Sequence, residues 1–301
     1  MYEEFYGLSA KPFTLTPDES SFFMSPQHAQ GLATLQYSIL SKAGFTLVTG
    51  ESGMGKTTIV NRVLSNLDES LRIAHVVNTH QGLGRMVPWV LAAFEVPADY
   101  GDELGCYGTL KTFLQDQASA GNQVVLIIDE AHNLSTEALE ELRLINNLNV
   151  DEESGLQMVL VGRPNLDTLL SQEEQSDFAQ RIAIDCRIER FDYEVADEYI
   201  SFQLNRCGGA PEIFDFLARA TVFYHSHGIP RLINSICELA LVYGYGESSA
   251  AIDMNVIKNV LLSKKVGLSA FNQMERSRSA AELHAMVANV HGVDIARFSL
   301  K

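Results

Sequence analysis

Residues 50–57 read Gly-Glu-Ser-Gly-Met-Gly-Lys-Thr and lie between a strand-like run, residues 44–49 (GFTLVT), and a helix-like run, residues 57–67 (TTIVNRVLSNL). The pattern G-x-x-x-x-G-K-[ST] between a strand and a helix commits the segment to a phosphate-binding loop at the end of a buried strand. Gly50, Gly53 and Gly55 permit a tight turn that aims successive N–H groups at phosphate oxygens, at the positive end of the following helix. On this reading Gly50, Glu51, Ser52, Gly53, Met54, Gly55, Lys56, Thr57 and Thr58 surround the phosphates of a nucleotide. Lys56 reaches the β and γ phosphates, and the Thr57 hydroxyl holds Mg²⁺. The competing reading is a strand followed by a glycine-rich turn with no ligand.

A second element, residues 124–130 (VVLIIDE), is an apolar strand that ends in two carboxylates. If it lies beside the phosphate loop, Asp129 can bind Mg²⁺ through water and Glu130 can polarise an attacking water. The alternative makes both acids a helix-capping turn before Ser135.

Strands and helices alternate from Gly44 onward: GFTLVT and a helix, residues 72–79 (RIAHVVNT) and a helix at about 83–94, then residues 123–130. A helix at about 135–148, a strand over residues 156–162, a short helix and a strand within residues 182–191 complete the series. Near-continuous apolar strands in such alternation predict an α/β fold, a parallel sheet covered on both faces. After Phe191 the strand signals stop, and residues 192–262 read as successive helices. The expected domains are an N-terminal cap (1–41) rich in aromatic residues, an α/β nucleotide-binding domain (42–191), a helical lid (192–265) and a basic tail (266–301).

No apolar run approaches the roughly 18 to 20 residues of a membrane helix, and the N-terminus begins acidic, unlike a secretory signal. A cytoplasmic protein is expected, one that could still dock on a membrane partner. Cys106, Cys186, Cys207 and Cys237 are widely separated, which argues for reduced thiols rather than a zinc site or disulfides. His225 and His227 lie two apart and would point to different helix faces, against a metal site. A net charge of −16 opposes nonspecific binding to DNA. Residues 261–301 hold six basic and three acidic side chains, +3 for the tail and −19 for the remainder, and a solvated, mobile terminus is the expectation.

With both motifs placed, the chain resembles the AAA+ ATPases, within them the ExeA/GspA-type (general secretion pathway protein A) subgroup that includes exopolysaccharide- and exosortase-associated ATPases. The resemblance spans roughly residues 1–265 and rests on MYEEFYGLSAKPFTLTPD, SPQHAQGLATLQYSI, GFTLVTGESGMGKTT, LIIDEAHNLSTEALEELRLINNL, MVLVGRPNL, FAQRIAIDCRIE and GIPRLINSICELALVYGYGE. It implies a P-loop NTPase with a three-layer parallel sheet in strand order 5-1-4-3-2, followed by an all-helical lid. At matching positions it implies further roles. Asn78 would be the switch that restrains Glu130, Arg181 in AQRI an arginine finger completing a neighbouring subunit's site, and Arg231 in GIPR the sensor 2 residue. Without the resemblance, Asn78 reads as a strand end and the two arginines as surface ion pairs. Sensor 1, usually a small polar residue or Gln, is here Arg163, which cannot accept a hydrogen bond from attacking water. His132 in DEAHNL is family variation on this reading. The segments KPFTLTP and SPQHAQGL stand where such proteins form an adenine pocket.

The resemblance implies ATP and Mg²⁺ as cofactors and a homo-oligomeric ring, a hexamer on the family's pattern. It implies envelope export or polysaccharide assembly proteins as partners, without nucleic acid, at the inner membrane only through a partner. The function expected is ATP binding and hydrolysis coupled to assembly or regulation of an export system. The alternatives are a DNA-associated regulator of transposition type and an ATP-dependent switch with negligible turnover.

Overall fold

In the computed structural model, residues 1–15, 21–65, 71–77, 85–148, 156–263 and 277–298 are described. The chain divides into two compact units: residues 26–188, and residues 1–25 together with 189–301. The expected N-terminal cap is therefore shared between them, its first part going with the helices and residues 26–41 with the sheet.

The helices run, in chain order, α1 (Tyr2–Phe5), α2 (Pro26–Leu40), α3 (Lys56–Leu64), α4 (Met86–Ala93), α5 (Glu103–Ser119), α6 (Thr136–Asn146), α7 (Asn165–Leu170), α8 (Ser176–Ala179), α9 (Tyr193–Arg206), α10 (Phe216–Ser226), α11 (Pro230–Gly246), α12 (Met254–Ser263) and α13 (Arg278–His291). The strands are β1 (Phe45–Gly50), β2 (Leu71–Val76), β3 (Gln123–Ile128), β4 (Leu156–Gly162) and β5 (Ile182–Ile188). They form one sheet in the order β2-β3-β4-β1-β5, every pair parallel. This is the expected order read from the other edge. β1 and β4 are buried along their whole lengths, while the edge strands β2 and β5 are only partly buried, with buried positions confined to Ala74 and Val76 in β2 and to Cys186 and Ile188 in β5. An apolar run without alternation therefore marks a strand covered on both faces.

On one face Phe45, Leu47, Leu126, Ile128, Met158 and Leu160 pack with the apolar sides of α4, α5 and α6. On the other, α2 is tied down by polar contacts. Gln157 Nε2 donates to the Ser38 carbonyl (2.9 Å), Gln123 Nε2 to the Ile39 carbonyl (2.7 Å), and the Ser38 and Thr46 hydroxyls pair. The sequence reading contains no helix corresponding to α5. Its two glycines and weak amphipathic pattern hide it, yet Cys106, Leu110 and Leu114 recur at four-residue intervals and are buried, and Asp102 caps its start by accepting from Gly105 N at 3.1 Å.

In the helical unit, aspartates Asp192, Asp215 and Asp253 cap α9, α10 and α12 by accepting from Val195, Ala218 and Val256 N–H groups. Buried Arg219 holds the unit's turns together, donating to the carbonyls of Phe214 and Pro211, to the Asp197 carboxylate and to Ser201. The aromatic N-terminal residues belong here. Tyr2 donates to Glu238 (2.8 Å), Tyr6 to the Ser249 carbonyl (2.9 Å), Phe13 packs on Phe214, and Phe23 on Phe191 and Tyr199. Residues 277–298 of the tail depart from the expected mobile terminus. α13 is capped by Ser277 and buries Ala280, Leu283 and Val287, and the Ile295 carbonyl accepts from buried His225 (3.0 Å). Net basic charge misleads there because the apolar residues recur at helical spacing and segregate to one face.

Candidate functional site: the phosphate loop and the carboxyl ends of β1, β3 and β4

At the end of β1, a side chain on Gly50 would place its Cβ 2.6 Å from the Ile188 carbonyl oxygen, so only glycine fits. Gly53 (φ 87°) and Gly55 (φ 84°) adopt the left-handed conformation that glycine alone takes without cost, and Gly55 opens directly into α3. Lys56, the first residue of α3, is buried, and its Nζ donates to the carbonyls of Gly50 (2.8 Å) and Glu51 (3.1 Å). Burial holds its pKa below the ordinary lysine value, opposed by Glu130 and Asp129 and reinforced by Arg163. Glu51, Ser52 and Thr58 stand half-buried around the loop. Met54 is fully buried beneath it, and its carbonyl accepts from His28 Nε2 at 2.8 Å. α2 thus pins the loop from below. His28 lies within the SPQHAQGL segment, but neither spacing nor pattern singles it out.

Beside the loop, the ladder of β3 extends one residue further, with Asp129 N donating to the Val76 carbonyl at 2.9 Å. Asp129 is buried. Its Oδ2 accepts from the Thr57 hydroxyl (2.7 Å) and its Oδ1 from the Glu130 N–H (2.8 Å). The chain then turns sharply through Glu130, whose φ of 54° is left-handed, into a 3₁₀ turn at Ala131–Asn133. A non-glycine residue costs on the order of 1–3 kcal/mol in such a conformation, and strain of this kind collects at functional sites. The pairing of Thr57 with Asp129 suits a divalent cation. A hydroxyl has one proton and two lone pairs, so donation to Asp129 leaves oxygen lone pairs on Thr57 for Mg²⁺, with the carboxylate charge alongside.

Arg163 follows Gly162 at the end of β4, the strand between β3 and β1, and is exposed. Its charge is felt at both Lys56 and His132. The His132 ring is buried, with Nδ1 3.4 Å from Glu130 Oε2. Burial holds its pKa below the ordinary histidine value. Glu130 opposes this, while Arg163 and Lys56 push the same way. Lys56, Thr57, Asp129, Glu130 and Arg163 are therefore gathered at one edge of the sheet, where ligands of open α/β sheets bind.

Of the other expected residues, Arg181 lies at the opposite end of the sheet. Arg181 immediately precedes β5, whose first residue pairs with Phe45 and whose last pairs with Gly50. It therefore stands at the amino end of the sheet, about 20 Å from the loop at ~3.3 Å per residue, where its Nη1 donates to Asn147 Oδ1 (2.5 Å). Arg231 is exposed in the first turn of α11, in the helical unit. Asn78 lies outside the described residues.

A family profile described as AAA domain matches residues 39–170. General secretion pathway protein A of Aeromonas hydrophila is 35% identical over 253 residues, which cover 84% of this chain and 46% of that protein. The chain belongs to the AAA+ family, of the general secretion pathway protein A type. It spans about half the length of that relative, 46%. Solved structures share the fold at low identity. Cdc6p from Pyrobaculum aerophilum superposes with a TM-score of 0.64 at 13% identity, over 97% of this chain and 89% of that one. The RuvB Holliday junction branch migration motor of Thermotoga maritima gives 0.52 at 16% identity, over 92% and 80%. Among the described residues, no helix is long and apolar enough to cross a membrane.

Proposed function

We propose that this AAA+ chain binds ATP with Mg²⁺, hydrolyses it as a homo-oligomer, and couples the cycle to assembly or regulation of a cell-envelope export system, for protein or polysaccharide. The observation that carries the reading is the Thr57–Asp129 contact at 2.7 Å beside the buried Lys56. It supports the reading because it sets a hydroxyl and a carboxylate side by side, the donor set Mg²⁺ prefers, next to a lysine suited to phosphate. Lys56, released from the Gly50 and Glu51 carbonyls, turns its three donors toward β and γ phosphate oxygens. Thr57 and Asp129 would hold Mg²⁺, which would supply positive charge against those oxygens. Glu130 orients a water and takes its proton as the oxygen attacks the γ phosphorus, in line with the leaving β–γ bridging oxygen. Arg181 reaches the site of a neighbouring copy and offsets charge on the transferring group, Arg231 reports nucleotide state to the helices, and Asn78 restrains Glu130. The export role rests on the name of the relative, and the net charge of −16 favours it over a role on DNA.

A second reading, a nucleotide switch with negligible turnover, is favoured by one feature: Arg163 occupies the end of β4, where an acceptor for the attacking water is otherwise expected. ATPase rate measured against protein concentration, with and without duplex DNA, decides between them. The first reading expects turnover per subunit to rise with concentration and to ignore DNA. DNA stimulation overturns it, and tight ATP binding without turnover selects the switch.

A further inference from the structure

Besides Lys56 and Asp129, the imidazole of His132 is buried at this edge of the sheet. His132 sits in the 3₁₀ turn after β3, packed against the end of β4, where a side chain on Gly162 would bring its Cβ within 3.3 Å of the His132 N–H. The imidazole is only 6% exposed, yet its Nδ1 is a buried atom with no hydrogen-bond partner. Such a group in a native core calls for a physical account. The nearest carboxylate oxygen, Glu130 Oε2, is 3.4 Å away, within ion-pair distance but not in hydrogen-bond geometry. The Glu130 side chain is 41% exposed. A rotation of the Glu130 side chain would bring its oxygen into hydrogen-bond geometry with the ring.

We propose that His132 is a positioning residue for Glu130, its Nδ1–H donating to the carboxylate and presenting the remaining oxygen to the attacking water. The inference rests on the reading of Glu130 as the base. The groups around the ring are Glu130, Arg163, Lys56 and Asp129, and burial with the two cations keeps the ring neutral at neutral pH. A neutral donor suits the task. It orients a carboxylate while leaving it ionised, whereas a cation at the same distance would draw down its basicity.

Two measurements on the intact chain test this. The ring ¹⁵N shifts of His132 at pH 7.5, compared between the parent and Glu130→Ala, report which nitrogen carries the proton. A parent protonated at Nδ1 that moves toward the Nε2–H tautomer in the variant is expected. In steady state, His132→Phe should lower kcat about tenfold, a fraction of what a general base supplies, with nucleotide affinity unchanged. His132→Asn, whose amide nitrogen stands near the Nδ1 position, should recover most of the loss. Unmoved ring shifts together with an unchanged kcat in His132→Phe overturn the inference while leaving the hydrolysis reading intact. A parent with no turnover whose ring shifts still respond to Glu130→Ala upholds the contact and defeats the hydrolysis reading instead.

Discussion

At the carboxyl ends of β1, β3 and β4 the sheet gathers Lys56, Asp129, Glu130 and Arg163 around a glycine-lined turn, whereas at the amino end of β5 Arg181 stands beside Asn147 and Glu140. Both ends belong to one rigid array of hydrogen-bonded strands. A parallel sheet has a direction, so every loop that follows a strand emerges at the same edge and every residue that precedes one lies at the other. An arginine placed before β5 is thereby kept from its own chain's phosphate loop by the length of the sheet. If it serves catalysis, it serves a neighbour's site, and the two edges become the two halves of a shared centre.

The comparison can be broken most sharply at Arg181. Arg181→Ala should leave ATP affinity intact and reduce turnover by about 1,000-fold, the lower end of what an arginine finger supplies. Mixing it with Lys56→Ala chains should restore part of the activity, since one variant offers an intact loop and the other an intact arginine. Normal turnover by Arg181→Ala alone removes the role in trans. Glu130→Gln should retain ATP and lose turnover by about 100-fold or more, and a variant that still hydrolyses at the parental rate would refute Glu130 as the base. Lys56→Ala should weaken nucleotide binding by about 100-fold, near the top of the ~1.5–3 kcal/mol range for hydrogen bonds to charged groups, as read by titration with a fluorescent nucleotide.

The smallest expected effect is on stability against pH. Burial holds His75 and His132 below the ordinary histidine value of 6.5, so the unfolded chain binds more protons than the folded one as pH falls. Their contribution is fully present above about pH 6.5 and is lost as pH drops through their folded values. Glu238, which burial holds above its ordinary value, works in the opposite sense toward more acid pH. Urea unfolding at pH 7.5 and 5.5 should show lower stability at 5.5, with a shallower slope in His132→Asn. An equal slope in the two proteins would exclude His132 as a contributor.

Much of this was legible in the residues. The glycines of 50–57 are required at Gly50 by contact with the Ile188 carbonyl and at Gly53 and Gly55 by left-handed backbone, so their spacing is a local property that a pattern can carry. The apolar run ending in Asp129 and Glu130 likewise announced a buried strand with acids at its exit. α5 escaped notice because its burial comes from packing against α4 and β3 rather than from a strong stripe of its own, and α13 because it lies in a segment whose net basic charge was read as a solvated end. His28 and His132 carry no signature in spacing, because each owes its place to a partner distant in sequence or in an unusual turn.

The sequence by itself determined the phosphate loop, the acid-terminated strand and the parallel α/β class, all of which follow from backbone conformation and periodicity within short segments. Only the tertiary structure decided that Thr57 meets Asp129 across 72 residues, that His28 supports the loop, and that Arg181 faces away from it. Those outcomes depend on strand order and register, which are fixed by the simultaneous burial of many distant side chains and cannot be read from any one stretch of chain.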